Sequence, residues 1–208
     1  MQTKAELKEK IKKVENLVKT IQIDIIDGFF APNKTIQAAQ FRHITIKPEL
    51  EVHLMVKNPI KYITDYARIG AARIIFHYES CKDNKEVNRI VNIIRAKKIK
   101  AGIAISPQTP ASKVKPFLDK IDVVQVMPIY PGYAGQRFMP AQLAKVRMIR
   151  KWNKKVIIQI DGGVHVGTAC ECTKAGATRL AAGSAIWNSG NPKKAIEELL
   201  NDAKCMTQ

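Results

Sequence analysis

The sequence predicts an α/β fold of parallel βα units, either closed into a barrel or wound as an open sheet. Short β-branched runs alternate with longer stretches of helical apolar periodicity along the chain. Polar residues able to do chemistry recur at or near the carboxyl ends of those runs, the face on which parallel α/β folds build their sites. The length of 208 residues, 46% of them hydrophobic, suits a single domain over residues 1–208 with a substantial core. Right-handed crossovers leave such a chain few topologies.

The first element is a helix over residues 4–18, in which Leu7, Ile11, Val14 and Val18 keep helical spacing and lysines fall between them. A strand follows at 21–26, "IQIDII". Its period of two puts Gln22, Asp24 and Ile26 on one face and Ile21, Ile23 and Ile25 on the other. A carboxylate on a core strand is costly unless its face meets a cavity, a metal or a partner proton, so Asp24 marks a chemical face. Asp27 falls on the opposite parity or in the loop and is expected to cap "DGFFAPN". Further strands are expected at 51–56, 72–77, 100–105, 122–127, 155–160 and 178–183, with helices at 58–69, 83–97, 110–119, 140–152, 165–175 and 192–204. That makes seven strands, with a helix ahead of the first. An eight-fold barrel would place a strand before that helix, where only "MQT" stands, so the first strand is expected to be missing or atypical.

Thirty-five Lys and Arg against eighteen Asp and Glu give a net charge of +17, which could serve nucleic acid, an anionic membrane or a phosphorylated substrate. The lysines of the first helix read as a solvated face, and no aromatic-interleaved basic motif or zinc-finger spacing is present, so no nucleic acid partner is expected. Neither a long uncharged apolar run nor a signal-peptide pattern appears, which argues against a membrane and for the cytoplasm. Cys81, Cys170, Cys172 and Cys205 form no metal or disulfide framework and are expected to be reduced and structural.

Asp24, His53, His77, Met127 and Asp161 fall at or near strand ends. Carboxylate, imidazole and carboxylate from Asp24, His53 and Asp161 could converge on one divalent cation. "DGGV" (161–164) and "AAGSAIW" (181–187) follow consecutive strands, the second opening a short helix. Backbone N–H groups at Gly162, Gly163, Gly183 and Ser184 are the donors such loops would offer a phosphate. A third loop, "YPGYAGQRF" (130–138), carries Gly132, Gly135 and Gln136 and is glycine-rich enough to approach a ligand or fold over it.

"IQIDIIDGFFAPN", "VHLMV", "FHYES", "MPIYPGYAGQRFMP", "IDGGV" and "AGSAIW", in this order over residues 5 to about 200, resemble the ribulose-phosphate 3-epimerase family. The resemblance implies a TIM (β/α)8-type barrel that interconverts D-ribulose 5-phosphate and D-xylulose 5-phosphate by moving the C3 proton. It implies that Asp24 and Asp161 take and return that proton. Both would also hold one divalent metal ion, zinc, iron, manganese or magnesium, together with His53. Met55 and Met127 match methionines of the family's pocket. The chain departs from the pattern in three places. Gln22 stands where the family has a metal-binding histidine and would be at most a weak ligand through its amide oxygen. Ile26 replaces a methionine, and the family's first strand would precede Thr3. Other readings stay open: an epimerase of another ketose phosphate such as allulose 6-phosphate, or a catalytically impaired sugar-phosphate-binding protein. A homo-oligomer is compatible with any of them.

Overall fold

The computed structural model describes residues 3–41 and 43–205. Seven strands form one sheet in the order β1-β2-β3-β4-β5-β6-β7 among the described residues. They are β1 (Thr20–Ile26), β2 (Glu49–Met55), β3 (Arg73–His77), β4 (Lys100–Ile105), β5 (Val123–Val126), β6 (Ile157–Asp161) and β7 (Arg179–Ala181). The helices are α1 (Lys4–Val14), α2 (Ile60–Arg68), α3 (Asn84–Ala96), α4 (Leu143–Trp152), α5 (Thr168–Lys174), α6 (Ser184–Trp187) and α7 (Pro192–Ala203). Sequential strands are sheet neighbours and helices lie between them in the chain, so the fold is α/β of the TIM type. The strand that this class places ahead of α1 is not among the described residues.

The chain divides into two compact units, Met1–Ile103 and Ala104–Gln208. In the first, α1 starts where the Thr3 hydroxyl accepts the Glu6 N–H at 3.2 Å and buries Leu7, Ile11 and Val14. β1 and β2 run parallel, with Ile23 opposite Val52, Asp24 opposite His53 and Ile25 opposite Leu54. β2 and β3 continue the rows, Val52 meeting Ile74 and Leu54 meeting Phe76. The row Ile23, Ile25, Val52, Leu54, Ile74 and Phe76 is closed to solvent. The alternate row carries Gln22, Asp24, Glu51, His53 and Arg73, so the two-residue period separates an apolar face from a chemical one. Glu51 lies opposite Arg73 and accepts its Nη1–H at 2.7 Å, a pair with both side chains 1% exposed. Arg73 also donates from Nη2 to Glu49 at 3.3 Å, so the buried guanidinium is compensated by two carboxylates.

In the second unit β5 and β6 pair parallel with Val124 opposite Ile158, Gln125 opposite Gln159 and Val126 opposite Ile160. β6 and β7 place Asp161 opposite Ala181. The stripes of α4 (Leu143, Val146, Ile149) and α7 (Ala195, Ile196, Leu199) are buried. The helix expected over 110–119 is instead two short 3-10 turns, Ala111–Lys113 and Lys115–Phe117. Pro116 explains the difference, because its ring lacks an N–H and clashes with the carbonyl four residues back. The cysteine expectation is also corrected, since Cys170 and Cys205 form a disulfide, with Cα atoms 5.2 Å apart, that ties α5 to the residues just after α7. Cys172 is buried and free, as is the half-buried Cys81. The same two elements are joined by Asp202, whose carboxylate accepts the Gly167 N–H at 2.8 Å and the Cys170 N–H at 3.2 Å at the start of α5. Among the described residues no helix is long and apolar enough to cross a membrane.

Candidate active site

In the first unit the end of β1 is fixed by the loop that follows it. Asp27 accepts N–H groups of Phe29 (2.8 Å) and Phe30 (2.9 Å) on one oxygen and of Lys57 (2.8 Å) on the other. Partial burial raises its pKa, but these three backbone donors outweigh that and hold the carboxyl below its usual range. Asp27 is therefore the structural cap the sequence suggested. Gly28 takes φ +83° to make the turn, and Thr35 returns to donate its hydroxyl to the Asp24 carbonyl at 2.8 Å while accepting the Ile26 N–H at 3.0 Å. Ile26, Ala31 and Met55 pack together beneath Phe30.

Asp24 thus projects from a braced strand end, with its side chain 48% exposed. Gln22, two residues earlier on the same face, donates its amide to Asp24 Oδ1 at 3.0 Å. His53 Nδ1 lies 3.1 Å from the same oxygen. Partial loss of hydration raises the Asp24 pKa, but the His53 hydrogen bond and charge, with help from Gln22, prevail and leave it lowered. Behind His53 stands a chain that sequence reasoning missed. His53 Nε2 is 2.9 Å from His77 Nε2, and His77 Nδ1 is 2.9 Å from Glu79 Oε2. Burial drives the His77 pKa down to about 4 against the pull of Glu79, so the ring is neutral at neutral pH.

Asp24 and His53 fit a divalent cation. Two ligand atoms about 2.0–2.1 Å from one ion stand about 2.8–3.4 Å apart, from cis octahedral to tetrahedral geometry. The separation of Asp24 Oδ1 from His53 Nδ1, 3.1 Å, lies in that interval.

In the second unit Asp161 ends β6 and is held from the neighbouring strand. The buried Gln125 donates its amide to Asp161 Oδ2 at 2.8 Å, and the buried Gln159 donates its own amide to Gln125 Oε1 at 2.8 Å. Both glutamines interrupt apolar runs in register with Met127 and Asp161, a parity signal present in the sequence. Gly162 and Gly163 follow at φ +113° and +64°, where a Cβ would run into Ile129 and Phe138, so only glycine allows these loops to close on each other. Met127 is buried. Gln136 donates to the carbonyls of Tyr130 (2.7 Å) and Tyr133 (2.9 Å) and so staples the 130–136 loop. Gly183 heads α6, accepting the N–H groups of Ile186 and Trp187, each at 3.0 Å. A first helical turn leaves the preceding amides, here of Ser184 and Ala185, pointing outward.

The ribulose-phosphate 3-epimerase family model matches residues 2–187. The ribulose-phosphate 3-epimerase of Bacillus subtilis is 36% identical over 86% of this chain and 84% of its own length. The cytoplasmic isoform of Oryza sativa is 36% identical over 86% and 80%, and the Escherichia coli enzyme is 34% identical over 88% and 83%. Solved structures share the fold at lower identity. A 3-hexulose-6-phosphate synthase superposes with TM-score 0.70 at 17% identity, covering 97% of this chain and 95% of its own. An orotidine 5'-phosphate decarboxylase from Pyrococcus horikoshii gives 0.68 at 16%, covering 98% and 96%. The match to the family model and the identity to these relatives along most of the chain give one answer: the chain belongs to the ribulose-phosphate 3-epimerase family and is an epimerase.

Proposed function

We propose that the protein interconverts D-ribulose 5-phosphate and D-xylulose 5-phosphate by passing the C3 proton between Asp24 and Asp161. The observation that carries this reading is the pair of strand-end aspartates, each gripped by a glutamine amide, in a chain of this family. The C3 hydrogen is acidic because the C2 ketone beside it can accept the charge left when the proton goes. Inverting C3 then takes a base on one face of the sugar and an acid on the other. Asp24, held ionised, is the base in one direction, and the carboxyl of Asp161 returns a proton from the opposite face. The amides of Gln22 and Gln125 keep each carboxylate in one orientation, so little is lost to side-chain freedom during transfer.

Asp24, His53 and Asp161 are the donors we assign to a divalent cation, zinc, iron, manganese or magnesium, with Gln22 at most a weak fourth. When bound, the cation supplies electrophilic stabilisation of the negative charge that develops on the ketone oxygen. The phosphate is assigned to the amides of Gly162, Gly163, Gly183 and Ser184, and the sugar to walls formed by Met55 and Met127. The loop bearing Gly132, Gly135 and Gln136 is assigned the exclusion of water from the sugar. A cytoplasmic location accords with this substrate and with the name of the rice relative.

Turnover assays of the intact protein on D-ribulose 5-phosphate and on allulose 6-phosphate test the reading. Faster turnover of the pentose is expected. A hexose preference would reassign the substrate, and tight binding of both without turnover would make the protein a sugar-phosphate binder.

A further inference from the structure

We propose that Cys170 and Cys205 are a thiol–disulfide switch, whose closed state pins the end of α7 over the start of α5 and so holds the 161–164 loop in place. The effect on substrate rests on the phosphate assignment above, whereas the switch itself rests on contacts within the second unit.

α5 begins without a capping side chain of its own, because its cap residue is Gly167. The cap comes from α7 instead. Asp202 Oδ2 accepts the N–H groups of Gly167 (2.8 Å) and Cys170 (3.2 Å), which sets a carboxylate where a helix leaves its first amides unsatisfied. Asp202 lies in the last turn of α7, three residues before Cys205, and helix ends fray unless they are tied down. The tie is the bond from Cys205 back to Cys170, supported where the Thr173 hydroxyl donates to the Ala203 carbonyl at 2.9 Å. Cys205 takes φ +44°, the left-handed position in which a helix ordinarily ends on glycine. A cysteine there adopts an unfavourable backbone conformation at the place where its sulfur meets Cys170.

The first residue of α5 carries the constraint on to the loop. The Thr168 hydroxyl accepts the His165 N–H at 2.9 Å and shares its hydrogen between the carbonyls of Gly163 (3.1 Å) and His165 (3.0 Å). Gly163 is one of the residues whose amides are assigned to the phosphate. Opening the bond frees the end of α7, withdraws the Asp202 carboxylate from α5 and loosens the hold of Thr168 on Gly163.

Both cysteines are half-buried, so a small thiol reaches them. A thiolate of a dithiol attacks one sulfur, the S–S bond breaks and a mixed disulfide forms. The second thiolate of the reductant then attacks that mixed disulfide and releases the other cysteine. Each departing cysteine sulfur takes up a proton, two electrons pass to the protein, and the reductant leaves as a disulfide. A disulfide such as oxidised glutathione reverses the exchange. The remaining two cysteines stay out of it, because burial pushes the thiols of Cys172 and Cys81 up to about 12. In a reducing compartment such as the cytoplasm a disulfide is ordinarily transient and redox-sensing rather than a fixed staple.

The test compares the intact protein equilibrated with oxidised glutathione and with dithiothreitol. Alkylation in denaturant followed by mass spectrometry should count two free thiols in the first, Cys81 and Cys172, and four in the second. Amide hydrogen exchange at Gly167 and Cys170 should be faster in the reduced protein. KM for D-ribulose 5-phosphate should rise about fivefold or more on reduction, the lower end of a usual coupling between sites. Cys205→Ser should sit at the reduced values in both media. A bond that does not close in oxidised glutathione, or that closes with no change in exchange over residues 161–170, would overturn the proposal. Altered exchange with an unaltered KM would refute the phosphate assignment and leave the switch standing. Should Cys205→Ser fail to fold, the two redox states of the parent decide alone.

Discussion

Gln125 on β5 donates its side-chain amide to Asp161 Oδ2 at the end of β6, across a distance of 2.8 Å. Gln159 in turn donates to Gln125 Oε1, so the second aspartate is oriented by a two-residue amide relay that is itself buried. Replacing Gln125 by leucine removes the donor to Asp161 and the acceptor of Gln159 together. We expect kcat to fall about tenfold or more and stability to drop by about 1–3 kcal/mol, the cost of leaving a buried amide unsatisfied. Steady-state kinetics and denaturant unfolding of Gln125→Leu measure both.

Asp27 links the loop to pH. Its carboxyl is held below the usual range in the folded protein by the amides of Phe30, Lys57 and Phe29, against the opposing effect of burial. Its folded pKa being lower than its unfolded one, its contribution is complete above the ordinary carboxylate pKa and is lost as pH falls through the folded value. Asp27→Ala should cost about 1–3 kcal/mol near pH 7. Unfolding curves of parent and variant should approach each other as the medium becomes strongly acidic, and a constant gap across that window would exclude Asp27 as the source.

Gln22 now donates to Asp24 Oδ1 at 3.0 Å. Gln22→His would place an imidazole on the face of β1 that carries Asp24, and we expect zinc affinity to rise at least about tenfold. Equilibrium dialysis gives the answer, and unchanged affinity would mean that position 22 does not serve a metal.

A Cβ at Gly183 would meet nothing within 4 Å, and the residue has a negative φ, so a side chain there is tolerated by the fold. Gly183→Asp would set a carboxylate against the amides assigned to the phosphate. KM for the pentose phosphate should rise about tenfold or more through charge repulsion, with Tm little changed. An unaltered KM would move the phosphate elsewhere.

How much of this was legible in the sequence depends on the kind of constraint. A carboxylate in "IQIDII" and another after "KVIIQI" announce themselves because they break runs that burial would otherwise keep apolar. The seven strands follow for the same reason, from β-branched runs and their two-residue period. Partnerships between strands were harder to see. Arg73 with Glu51, and Gln159 with Gln125, depend on parallel register, which a single sequence does not state. The Glu79 end of the histidine chain depends on a 3-10 turn after β3, where side-chain direction follows backbone geometry rather than period. Pro116 was a readable helix breaker that apolar spacing over 110–119 concealed. The Cys170–Cys205 bond joins residues 35 apart and needed the packing of α5 on the chain's end to bring them together.

The central claim is that Asp24 and Asp161 carry the proton. Epimerisation of D-ribulose 5-phosphate in D2O by the parent, Asp24→Asn and Asp161→Asn, with folding checked by circular dichroism, tests it most directly. The parent should yield xylulose 5-phosphate with deuterium at C3, and each amide variant, nearly isosteric but unable to shuttle a proton, should be slower by at least about a hundredfold. Near-parental turnover in either folded variant would contradict the account.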